Sequence, residues 1–239
     1  PAAVEEKIQK YRKQGYKLPP RKVLRTPEQL EGIRESAKIT TALLDYISEN
    51  IREGMSTEEI DVMVYDFTTG HGAIPAPLNY EGFPKSVCTS INEVVCHGIP
   101  SSEVFLKEGD IENVDESKIY RGYFSDSSRM YCIGKISEEK KKLVRVTKEC
   151  VEKGLAMVKP WNFLGDMAQV INDHAKANGY SVVVEIGGHG VGLEFHEEPF
   201  VSYVTRAGTE MLMVPGMVFT IEPMVNMGSY KVAWLDDEW

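Results

Sequence analysis

The chain has 239 residues, of which 42% are hydrophobic and 26% charged, and its net charge is −9. That composition supports one sizeable core, or two half-domains sharing it, and excludes an intrinsically disordered chain. The acidic balance argues against a general or sequence-specific nucleic-acid binder, and no run of about 18 apolar residues is available to span a membrane.

The charge is uneven. Residues 1–25 hold Lys7, Lys10, Arg12, Lys13, Lys17, Arg21, Lys22 and Arg25 against Glu5 and Glu6 only. This stretch reads as a basic extension and linker, either a solvated helix or an arm that docks on an anionic surface. Residues 26–239 read as the globular body. The four cysteines (Cys88, Cys96, Cys132, Cys150) form no C-x-x-C pair, and no signal-peptide pattern opens the sequence. Reduced thiols in a cytoplasmic protein are the expectation.

In chain order, a short charged helix over 4–14 is broken by Gly15 and Pro19-Pro20. Thr26-Pro27-Glu28-Gln29 predicts a helix start, with Thr26 as cap, Pro27 in the first turn and Gln29 completing a capping box. Leu30, Ile33, Ala37, Leu44, Ile47 and Ile51 continue it at helical spacing to Gly54. Ser56 opens a second helix carrying Ile60, Met63, Val64 and Phe67, closed by Gly70 and Gly72. A β-rich stretch covers about 86–133. A third helix runs from Ser137 to about Val158, and a fourth from about Gly165 to Ala177, with Asn178-Gly179 as its C-cap. A second β-rich stretch begins at Tyr180.

The order helix, helix, strands therefore occurs twice. Gly109 precedes Asp115 as Gly216 precedes Glu222, each by six residues, so the two halves each offer one inward carboxylate. The expected fold class is α/β (α+β) with two pseudo-symmetric halves. Asp115 and Asp126 flank the turn Tyr120-Arg121-Gly122, which would put both carboxylates on adjacent strands at one depth. Left alone, such charges repel, and a cation between them removes the conflict. Two aspartates in a β region are equally a turn residue and a surface residue until more ligands join them. Glu222 adds weight, because Phe219-Thr220-Ile221-Glu222 reads as an apolar strand where an unligated carboxylate is expensive. Gly187-Gly188-His189-Gly190 leads into no helix, so it is not a dinucleotide loop. Its small residues instead allow close approach to the His189 imidazole. His196 and His97 are further candidates, while His71 and His174 read as surface residues.

Seven motifs then carry a resemblance: Asn79–Cys88, Asn92–Pro100, Asn113-Val114-Asp115, Asp126–Met130, Gly188–Gly192, Phe195–Pro199 and Thr220–Met224. From about Thr26 to Trp239 the chain resembles the type I methionine aminopeptidases, whose fold is the creatinase or pita-bread fold. The resemblance implies two divalent ions (Co, Mn, Fe or Zn), with Asp115 chelating one, Asp126 bridging, and His189 and Glu222 binding the other. It implies that His97 and His196 contact the substrate amide and its developing tetrahedral intermediate. It also implies that Tyr80, Phe83, Cys88, Phe195 and Trp239, together with those two histidines, bind the N-terminal methionine of a nascent chain whose second residue is small.

The family has a fifth ligand, a second bridging glutamate on a strand after Glu222. Here residues 226–239 read as a turn (Asn226, Gly228, Asp236, Asp237), with Glu238 solvated. The expectation is therefore a fragment lacking its last strands and that ligand, with little or no activity. Glu112 and Glu116 lie opposite Asp115, where the family has apolar residues, and are either buried or solvated at a sheet margin. Two other readings stay open. One is a proline-specific aminopeptidase of the same fold, which the Tyr80 and His97 motifs disfavour. The other is a non-catalytic binding protein that kept the fold.

Overall fold

The computed structural model describes residues 1–239. Its elements run α1 (Ala2–Lys13), α2 (Pro27–Asn50), α3 (Thr57–Gly70), β1 (Ile74–Pro75), β2 (Cys88–Ile91), β3 (Ile111–Tyr120) and β4 (Tyr123–Cys132). Then follow α4 (Glu138–Ala156), α5 (Leu164–Ala177), β5 (Ser181–Val182), β6 (Gly188–Gly190), β7 (Glu197–Val201) and β8 (Val225–Asn226). The doubled order of helix pair and strands is thus present.

The helix starts follow from their capping chemistry. Gln29 N–H donates to Thr26 Oγ1 at 3.2 Å, and Thr26 N–H donates to Gln29 Oε1 at 3.0 Å. Ser56 and Glu59 close the same reciprocal box on α3. In each case two orphan amides of the first turn are satisfied locally, which fixes where the chain turns helical.

The chain divides into two compact units. One comprises 31–142, 192–195 and 232–239; the other comprises 1–30, 143–191 and 196–231. In the first, β3 is the long central strand. It pairs antiparallel with β1 and β2 along one edge and with β4 along the other. The β3–β4 connection is a two-residue turn in which Arg121 and Gly122 both have positive φ (51° and 83°), the twist a tight hairpin requires. Leu43, Ile47, Ile60, Val64, Val87, Leu106 and Val114 form the core beneath α2 and α3.

The reverse side of that hairpin settles the two glutamates left open by the sequence. Glu112, Glu116 and Lys118 are all fully buried, not solvated at a margin. Lys118 Nζ donates to Glu116 Oε2 at 2.7 Å. Helix α2 meets this side with Ser36 and Thr40, both bonded to Ser125 at 2.7 Å, and Tyr131 Oη donates to Leu44 O at 2.6 Å. Burial pushes Glu112 up to about 8 and Glu116 to about 7, and it pulls Lys118 down, partly offset by its glutamate. Both Glu112 oxygens lack a hydrogen-bond partner. A neutral, protonated carboxyl is the form this environment accepts.

In the second unit, α4 and α5 pack Val146, Cys150, Leu164, Met167, Ile171 and Ala175 against Val182, Val201, Tyr203, Met211 and Met213. Residues 1–25 are seated on the same unit. Tyr11 stacks on Trp161 at 5.5 Å, Tyr16 meets Phe163 edge-on at 5.4 Å, and Lys7 Nζ lies 5.4 Å over the Trp161 ring. Leu212 N–H donates to Lys17 O at 2.9 Å.

One expected strand is absent. Phe219–Glu222 makes only a single bridge, Phe219 to Gly190, with Thr220 N–H donating to His189 O at 2.9 Å. Side chains take the place of the missing ladder. Tyr203 Oη donates to Thr220 O at 3.1 Å and accepts from Glu222 N–H at 2.8 Å, while Thr220 Oγ1 accepts from His189 N–H at 3.0 Å. Backbone groups satisfied by hydroxyls need no partner strand.

Candidate metal centre

In the β3–β4 hairpin, Asp115 lies opposite Ser128 and Asp126 opposite Ser117. Directly opposed residues share a face, and so do residues two apart on one strand, so Asp115, Ser117, Asp126 and Ser128 all line one side. The two carboxylates are diagonal neighbours, offset by one dipeptide rather than level as the turn position predicted. Ser117 Oγ donates to Asp126 Oδ1 at 3.0 Å and orients it.

Cys88 sits across from Asp115 on β2. Burial pushes its thiol well above the usual range, and the charges of Asp115 and Asp126 push the same way, so it stays a neutral, apolar wall. His97 is held by its neighbour. Gly98 O accepts from Thr89 N–H at 2.8 Å, Gly98 N–H donates to Ser90 Oγ at 3.1 Å, and a Cβ on Gly98 would stand 1.9 Å from Thr89 O. Only glycine allows that approach. Burial lowers the His97 pKa, opposed by Asp126, leaving an imidazole that is neutral at pH 7 with one donor and one acceptor nitrogen.

The aromatic candidates in this unit come together. Tyr80 and Phe195 lie 4.8 Å apart, Phe195 is 6.2 Å from Phe124, and Phe83 meets Trp239 edge-on at 5.1 Å. Trp239 is 6.5 Å from His97. Tyr80 is flanked by Asn79 and Glu81, both at positive φ (67° and 49°), a strained loop of the kind that aims a functional side chain.

In the other unit, His189 Nε2 is 3.4 Å from Glu222 Oε1, and the rings of His189 and His196 are 4.2 Å apart. Thr220 Oγ1 donates to Glu222 Oε1 at 2.6 Å. Gly188 is equally constrained, since a Cβ there would stand 2.2 Å from Tyr203 Oη and 2.7 Å from Thr220 O. Thr220, Tyr203 and Ser117 are hydrogen-bond partners of these candidates that the sequence reading missed. Thr220 was findable, because it precedes Glu222 by two residues. Tyr203 was not, because nothing local links it to residue 222. Of the two other histidines, His71 is exposed as expected, whereas His174 is part-buried and meets Glu149 at 3.1 Å.

Imidazole and carboxylate donors, with Ser117 bonded to Asp126 and Thr220 to Glu222, are of the kind suited to divalent Mn, Fe, Co or Zn. Comparison with known proteins agrees. Residues 31–238 match the model of metallopeptidase family M24. The chain is 45% identical to methionine aminopeptidase A of Synechocystis, over 88% of this chain and 83% of that one. The chain belongs to the methionine aminopeptidases of family M24. Methionine aminopeptidase of Escherichia coli K12 is 42% identical, over 90% of this chain and 82% of that one. The crystal structure of methionine aminopeptidase from Rickettsia prowazekii superposes with a TM-score of 0.88 at 41% identity, covering 90% and 87%. The fold is the pita-bread fold of that family. No helix is long and apolar enough to cross a membrane.

Proposed function

We propose that the chain is a metal-dependent aminopeptidase that removes the initiator methionine from nascent proteins when the second residue is small. The observation that carries this is the His189–Glu222 pair at 3.4 Å, held by Thr220 and with the His196 ring beside it. In this reading Asp115, Asp126, His189 and Glu222 would hold the divalent ions. Such ions, when bound, lower the pKa of water and polarise a carbonyl.

The chain's own residues do the rest. Neutral His97 donates a hydrogen bond to the scissile amide, and His196 stabilises the oxyanion that develops on its carbonyl. Tyr80, Phe83, Cys88, Phe195 and Trp239 accept the methionine side chain, whose unbranched thioether fits an apolar slot closed by a neutral thiol. The work is done in the cytoplasm, and the basic face of residues 1–25 favours salt-sensitive contact with the ribosome.

The test is hydrolysis of Met-Ala-Ser with added Mn or Co, beside titration calorimetry of the metal. The reading expects Met-Ala-Ser to be cleaved only when the metal is present. Preference for Xaa-Pro peptides over Met-Ala-Ser, or no metal bound at millimolar concentration, would sink it.

A further inference from the structure

We propose that Arg25 is a positioning residue for the His189–His196–Glu222 group, acting through a buried ion pair with Glu197. The inference rests on the role assigned to that group above. Arg25 is the last residue of the basic extension, two residues before α2. Its side chain is 2% exposed and that of Glu197 9%, with Arg25 Nη2 on Glu197 Oε2 and Arg25 Nη1 donating to Lys22 O at 2.8 Å. Burying a guanidinium in a place where an apolar side chain would fill the same space is expensive, so its retention points to geometry rather than to stability.

Two contacts show which geometry is held. Glu197 follows His196 directly and pairs in register with Gly190, the residue after His189. Glu197 is the first residue of β7, and His196 lies in the bend just before it. A Glu197 anchored towards Arg25 therefore fixes the backbone on which His196 turns, and the His196 ring lies 4.2 Å from that of His189. The second contact is through the backbone. Arg25 N–H donates to Gly216 O at 2.9 Å, and Gly216, at φ 102°, would place a Cβ 3.2 Å from both the nitrogen and the oxygen of Arg25. Gly216 is the turn that opens the segment leading to Glu222. One residue thus grips the start of β7, directly after His196, with its side chain and the Glu222 segment with its backbone. The basic extension consequently ends in a residue that belongs to the site.

The experiment compares the full chain with Arg25→Ala, Arg25→Lys and Glu197→Gln. In the metal-free protein, imidazole 15N–1H spectra should show His189 and His196 displaced in Arg25→Ala and in Glu197→Gln. The resonances of His71, His97 and His174 should be unmoved, and Arg25→Lys should recover most of the displacement. With Mn added, kcat for Met-Ala-Ser should fall about tenfold in Arg25→Ala, with KM within about twofold, as expected when the support of a reacting group is lost. Unmoved His189 and His196 resonances in a folded Glu197→Gln, or a change in KM alone, would overturn the proposal. If the parent chain hydrolyses nothing, the functional reading has failed, while the spectra still decide the positioning role.

Discussion

The two sides of the β3–β4 hairpin carry the same chemistry to opposite ends. One side presents Asp115 and Asp126 among serines. The other buries Glu112, Glu116 and Lys118 completely beneath α2. Strand alternation alone sorts these residues, and one step of register would exchange them. On the first side Asp126 is oriented by the Ser117 hydroxyl, and carboxylates so placed suit a cation. On the second, one carboxylate is paired with a lysine and the other is neutralised by taking up a proton. A charged side chain on a strand is therefore not a site by itself; what faces it decides.

That contrast is breakable, and unfolding free energy of the metal-free protein gives it a common scale. The largest effect should come from Lys118→Met, which leaves Glu116 buried without its cation and should destabilise by about 3–5 kcal/mol. Replacing both members by apolar residues should be close to neutral. Glu112→Val should act in the opposite direction. Glu112 has its folded pKa raised to about 8 from 4.5, so the fold prefers the protonated form. Its stability is complete below about pH 4.5 and declines as pH rises towards 8. Urea titrations should show a shallower fall across that window in Glu112→Val than in the parent, the remaining slope coming from Glu116 with its pKa raised to about 7, and the variant more stable by roughly 3 kcal/mol at pH 7. The smallest effect on stability belongs to Asp126→Asn, under about 1 kcal/mol, because it leaves Ser117 a hydrogen-bond acceptor. The same variant should lose Mn binding by calorimetry, whereas Glu112→Val should bind as the parent does. If Asp126→Asn keeps full metal affinity, the division between the two sides collapses.

Much of this was legible in sequence because it is local. The caps at Thr26 and Ser56 lie within three residues of their partners, and the Arg121-Gly122 turn is spelled by its own residues. The parallel between Gly109 and Gly216 survives as well: both have positive φ, 95° and 102°, ahead of Asp115 and Glu222. The strand expected at Phe219–Glu222 failed for a reason at long range. Tyr203, seventeen residues from Thr220, satisfies the backbone that a neighbouring strand would otherwise have satisfied.

By itself, then, the sequence determined the helices, the hairpin, the doubled order of elements and the family, since each is written in spacing or in contiguous motifs. Tertiary structure alone decided three things. Glu112 and Glu116 are interior because α2 covers them. Thr220 and Tyr203 hold His189 and Glu222. The basic extension ends in Arg25, buried against Glu197. Each depends on which distant side chain arrives opposite, and burial, the property that sets the charge of Glu112 and the worth of the Arg25 pair, exists only once the chain has packed.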